Sequence, residues 1–152
     1  MKPQEKTDEL RKLEFKAWSK TNKRFFEFMG LDLYHNKILI RRTDSGAVKQ
    51  YVTEWKNLSA FVLLGYTEFK DKNGVDIYEG DILEFTVFDC YTGDCQHRGF
   101  LEVDKYGKFI KTDLNNDEFT NVFDFVDVVV NDDELTVIGN IYENPELLEE
   151  EE

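Results

Sequence analysis

Between Asp81 and Phe88 the chain reads DILEFTVF, which in an extended backbone puts Leu83, Phe85 and Val87 on one side and Glu84 and Thr86 on the other. Wound into a helix, the same residues would scatter their apolar side chains around the axis, so a period of two predicts a half-buried strand. This texture recurs along most of the chain. Leu13, Phe15 and Ala17 alternate, SKTNK supplies a turn and RFFEF returns, which predicts a hairpin. KILIRR, the turn signal TDSG and AVKQYVT predict a second, and AFVLLGYT is a continuous apolar run of strand length. After DILEFTVF come the turn YTGDC, the pair GFLEVD and KFIKTDL around KYG, and NDDE leading into LTVIGNIY. Asn73-Gly74 predicts a type I′ turn with positive φ at both residues, and Gly80 marks a corner.

Two segments carry helical signals. In FTNVFDFVDVVV, which follows the chain break NNDE, Phe119, Val122, Phe123 and Val126 fit helical spacing, whereas the run from Phe125 to Val130 favours a strand at the end. Asn144 followed by Pro145 predicts the N-cap and first turn of a short helix over PELLE. The expected fold is mainly β, a β-rich α+β chain: seven to nine strands in a small antiparallel barrel-like domain with short peripheral helices, including a short C-terminal helix. At 152 residues the chain fits a single domain over 13–148, after a flexible polar extension, 1–12, and before an acidic tail, 149–152.

Thirty-two acids against 19 bases give a formal charge of −13, a sign that repels phosphate, so direct nucleic-acid binding is not expected. Basic residues concentrate only in KTNKR and IRR. No apolar stretch reaches membrane-spanning length or resembles a leader, and two cysteines are too few for a disulfide framework, which together predict a cytoplasmic protein.

Three blocks carry more than periodicity: FKAW at Phe15 to Trp18, YTEFKDKNGVDIYEGDILEF at Tyr66 to Phe85, and TVIGNIYENPELL at Thr136 to Leu148. In this order they resemble the YopX family of bacteriophages and prophages, whose members carry a TGLKDKNG.EIYEGDI block and end in VIGNIYENPELL. Where that pattern has Gly-Leu after Thr, this chain has Glu68-Phe69, which leaves a turn at residue 68 unassured. The resemblance brings no catalytic residue with it.

Candidate sites weigh against plainer readings. Asp71, Asn73 and Asp76 begin like a calcium loop, but the glycine falls fourth and Ile82 occupies the twelfth place. Asp76, Glu79 and Asp81 could serve metal-dependent hydrolysis if they converged; EGD before an apolar strand also reads as a corner. Cys90, Cys95 and His97 form C-x4-C-x-H, wider than structural zinc spacing, so no metal and no cofactor is expected. Trp18, Trp55, Tyr66, Tyr78, Tyr91, Tyr106 and Tyr142 read as core or cross-strand aromatics before a binding platform. Without a catalytic constellation, the expected function is a non-catalytic phage-type accessory protein that binds an unknown protein partner or a second copy, with Tyr78, Glu79, Asp81, Asp124 and Asp127 as candidate binding residues. The alternatives are an acidic DNA mimic that inhibits a host nuclease or DNA-binding protein, and a hydrolase using the clustered carboxylates.

Overall fold

The computed structural model describes residues 14–44, 50–89, 91–114 and 121–149. The extension together with Leu13, Ser45 and Gly46 of TDSG, Ala47 to Lys49, Cys90, NNDE with Phe119 and Thr120, and the last three glutamates lie outside them. The chain divides into two compact units, Met1–Tyr66 and Thr67–Glu152.

In the first unit, β1 (Phe15–Ser19), β2 (Arg24–Asp32), β3 (Lys37–Asp44), β4 (Gln50–Asn57) and the first part of β5 (Phe61–Lys70) form an antiparallel sheet in the order β4-β3-β2-β1-β5. The predicted hairpins are present. SKTNK closes β1 to β2 with the Ser19 hydroxyl accepting the Asn22 N–H at 3.0 Å and Lys23 at φ 55. One face buries Ala17, Phe26, Ile38, Ile40 and Phe61.

In the second unit β5 continues beside β6 (Asp76–Tyr78). A second antiparallel sheet, in the order β10-β9-β8-β7-β11, combines β7 (Asp81–Asp89), β8 (Gly93–Asp104), β9 (Gly107–Lys111), β10 (Val122–Asp124) and β11 (Thr136–Asn140). Leu83 and Phe85 of β7 enter the core with Ile77, Leu101, Ile110 and Leu135, as their alternation requires. A single α-helix among the described residues, α1 (Phe125–Asn131), links β10 to β11.

The class is mainly β, as expected, but the sheets are open and do not close into a barrel. Between β10 and β11 the chain forms α1, which drives Phe125 and Val128 into the core and covers it with a helix where closure would need hydrogen-bonded strands.

That segment also reverses the sequence expectation: the strand comes first and the helix second. Asp124 is extended, at φ −71 and ψ 121, and its carboxylate accepts the Asp127 N–H at 3.2 Å, starting a helix at the next residue. Burial of Phe125 and Val128, three apart, then outweighs the strand preference of the valines. The C-terminal piece is a 3-10 helix, Pro145–Leu148, with Asn144 at the N-cap position and Pro145 in the first turn as expected, but the Asn144 side chain makes no capping hydrogen bond. The Asn144 side chain turns back to accept the Asn140 N–H at 3.3 Å, packed so closely over Gly139 that a Cβ there would lie 2.6 Å from Oδ1.

Asn73 does not adopt the positive φ of a type I′ turn; only Gly74 does, at φ 79. The loop is instead fixed by Asp71, whose backbone pairs with Val75 and whose Oδ1 accepts the N–H groups of Asn73 at 2.8 Å and Val75 at 2.9 Å. Glu68 stands at φ 70, a left-handed conformation inside β5, flanked by the Thr67 hydroxyl that accepts the Phe69 N–H and donates to the Ile77 carbonyl. The strand therefore carries a left-handed residue at this position, with a glutamate where the family pattern has glycine. Glu68→Gly should stabilise the protein by about 1 kcal/mol, raising the melting midpoint by about 2–4 °C in a thermal scan; a lowered midpoint would refute strain at this position.

Candidate functional site

The second and third family blocks meet around Asp71. Its Oδ2 accepts the Val137 N–H at 3.0 Å, and the Lys72 N–H donates to the Leu135 carbonyl at 3.0 Å, which ties the KDKNG loop to the start of TVIGN. Burial alone would raise the Asp71 pKa, but the N–H groups of Val137, Val75 and Asn73 together hold it below the ordinary carboxylate range. At the following corner Asp81 is buried and its Oδ2 accepts the Tyr78 N–H at 2.8 Å. Gly80, at φ 87, donates to the Leu101 carbonyl and accepts from the Ile141 N–H. Burial, then the charge of Glu79, raises the Tyr142 pKa, so the EGD corner also lies beside the IYENP segment.

Tyr78, Glu79 and Asp81 thus share one corner, where Asp81 is committed to the backbone, and Asp76 pairs with Lys70 at the surface. Asp124 and Asp127 sit at the start of α1: Asp124 caps the helix, and Asp127 Oδ1 accepts from the Asn131 side chain at 3.1 Å. Among the described residues no three His, Cys, Asp or Glu side chains are grouped to hold a metal. His97 lies 4.9 Å from the Phe123 ring and 5.8 Å from the Phe85 ring, centroid to centroid. Cys95 and His97 border a recess of about 600 Å³ with Val87, Phe88, Tyr91, Asn121 and Phe123. No described helix is long and apolar enough to cross a membrane.

The larger concavity belongs wholly to the first unit. A cleft of about 720 Å³ opens on the face of the sheet that carries Phe26, Ile40 and Phe61, and it is rimmed by Ser19, Thr21 and Asn22 of the β1–β2 turn. Register explains its chemistry. Ile40 lies opposite Glu54 and Arg42 opposite Val52, so the even-numbered residues of β3 and β4 share this face. Arg24 and Phe26, two apart on β2, join them, with the guanidinium 4.4 Å from the centroid of the Phe26 ring. The two basic clusters of the sequence, 18 residues apart at Arg24 and Arg42, therefore line one cleft together with Lys56.

Among the described residues Glu54 is the one acid that lines the cleft; Arg42 Nη2 and Lys56 Nζ both approach it at 3.2 Å. Hydrogen bonds from Arg42, then Lys56, keep its carboxyl below the ordinary range, so it remains ionised. Among the described lining residues three cations stand against one anion, which makes that lining positive. Charge is segregated more widely: residues 1–66 carry 13 Lys and Arg against 8 Asp and Glu, whereas residues 67–152 carry 6 against 24. A formal +5 in the first unit and −18 in the second lie behind the total of −13. Neither KTNKR nor IRR alone signals this cleft against the charge of the whole chain; the register that joins them is a long-range feature, but the asymmetry is visible by counting each half.

Comparison with known proteins adds kinship. A solved structure, that of protein EF1440 from Enterococcus faecalis, aligns with a TM-score of 0.58 at 27% identity, covering 91% of this chain and 99% of that one. A search of curated proteins finds no match. The family model described as YopX protein matches residues 14–149. That match takes in both sheets and all three motif blocks, and the protein belongs to the YopX family.

Proposed function

We propose that this is a non-catalytic protein-interaction module of phage or prophage type, acting in the bacterial cytoplasm, whose first-unit cleft takes an acidic segment of a partner protein. The convergence of Arg24, Arg42 and Lys56 on one cleft in an acidic chain carries the reading. Guanidinium groups present paired donors that match carboxylates. A nucleic acid fits less well: Phe26 and Phe61 are 8% and 9% exposed, so neither of these two lining rings is open for bases to stack on, and ionised Glu54 would oppose a continuous phosphate backbone.

Fluorescence anisotropy with a labelled peptide of alternating acidic and small residues tests this. Binding should weaken as salt rises, and the double variant Arg24→Glu, Arg42→Glu should bind at least about tenfold more weakly, a loss of about 1.4 kcal/mol. A single-stranded oligonucleotide of equal charge that displaces the peptide more effectively than unlabelled peptide would overturn the reading.

The −18 formal charge of the second unit supports a second reading, an acidic surface that competes with DNA for a basic host protein. Asp132 is unsuitable for testing it, since its carboxylate accepts the Thr86 and Glu134 N–H groups. Neutralising Asp133 and Glu134 should weaken such an inhibitor while leaving peptide binding by the first unit intact.

A further inference from the structure

We infer that β4 is a self-complementary edge through which two copies of this chain join the sheets of their first units into one. β4 ends the strand order, and no described strand pairs with its outer side. An edge of eight residues without a partner is a template for strand addition. On its odd-numbered face Tyr51 and Trp55 are 64% and 54% exposed, unusual for aromatics at the middle of a strand. Tyr51 is held in place: the Arg41 guanidinium lies 4.9 Å from the centroid of its ring, and Arg41 Nε donates to Glu27 at 2.8 Å on the neighbouring strand.

The sequence QYVTEWKN selects a second copy as the occupant and fixes the register. In an antiparallel pair related by a two-fold axis through the sheet, facing residues must have the same parity. Placing the axis at Thr53 sets Tyr51 opposite Trp55 of the second copy, and Trp55 opposite the second copy's Tyr51, giving two cross-strand aromatic pairs. On the cleft face Val52 then meets Glu54 and Gln50 meets Lys56, with no like charges opposed. An axis at Glu54 gives equal overlap but opposes the two Glu54 carboxylates, while axes at Val52 or Trp55 shorten the paired stretch. The surface lies at the border of the cleft, since Glu54 and Lys56 belong to both, but its argument is independent of what the cleft binds.

The test combines sedimentation velocity with register-specific crosslinking. The native chain should show a concentration-dependent monomer–dimer equilibrium. Thr53→Lys, which opposes two lysines at the axis on an exposed position, should shift it at least tenfold toward monomer, and Trp55→Ala should act in the same direction. With Cys90→Ser and Cys95→Ser in place, Thr53→Cys should form a disulfide dimer when oxidised glutathione accepts the two electrons. Facing Cα atoms in an antiparallel pair are about 4.5–5.5 Å apart, within disulfide range. Trp55→Cys in the same background should remain uncrosslinked. A monomer at all concentrations, a dimer unaffected by Thr53→Lys, or crosslinking through position 55 instead of 53 would each overturn the proposal.

Discussion

Asp71→Ala should destabilise the protein by about 3–5 kcal/mol in urea denaturation, because one buried carboxylate satisfies three backbone N–H groups that the substitution leaves without a partner. The effect should exceed that of a loop substitution, since Asn73 and Val75 lie in the turn but Val137 lies on β11, 66 residues away. Asp71→Asn should recover part of the loss, as an amide has one oxygen where the carboxylate uses both. Its pH dependence is distinctive. The folded pKa is depressed below the ordinary value of about 3.9, so the contribution is fully present above that value and disappears as pH falls through the lower folded pKa. The stability gap between native chain and Asp71→Asn should therefore be constant from about pH 5 to 8 and narrow below about pH 4. A gap that stays constant down to pH 2 would show that the carboxylate charge contributes nothing.

Phe125→Ala should cost a similar 3–5 kcal/mol, about 10 °C in melting midpoint. Phe125 is fully buried, in edge contact with Phe69 at 5.6 Å, and it anchors α1 in the core. Its neighbours give a sharper check on the segment. In a helix Val128 shares the buried face with Phe125 while Val126 and Val130 point outward; in a strand residues 126, 128 and 130 would share one face. Val128→Ala should cost about 2 kcal/mol, and Val126→Ala and Val130→Ala less than about 0.5 kcal/mol each. Equal losses at all three valines would contradict the helix.

Where a residue's partners are close in sequence or on the next strand, the pattern of side chains was sufficient. Leu83 and Phe85 enter the core as alternation demands, and the turns at SKTNK and KYG form where their composition places them. Legibility failed where tertiary contact outweighs local preference. From Val122 to Asn131 the order of strand and helix was inverted, because the cap at Asp124 and the core position of Phe125 decide it. At Asn73 the strongest turn signal misassigned the φ, because a carboxylate two residues earlier closes the loop. Asn144 holds the N-cap position its place before proline predicts, but its side chain is used by Asn140 and not by the helix.

The candidate site was the least legible part. The signature blocks that reveal kinship are joints: Asp71 and Gly80 spend polar groups on backbone atoms of remote segments, and Asp81 spends its own on the Tyr78 N–H at the same corner. Conspicuous acids such as Asp124 and Asp127 serve a helix start. The residues to which we assign partner binding, Arg24, Arg42 and Lys56, are unremarkable in sequence and meet only through the register of three strands.

Hydrogen–deuterium exchange with and without the acidic peptide tests that division most directly. Protection on binding should fall on residues 19–26, 40–42 and 54–61, which line the cleft, and leave 76–81 and 124–127 unchanged. Protection centred on 76–81 or 124–127, or none at saturating peptide, would contradict the assignment of partner binding to the first unit.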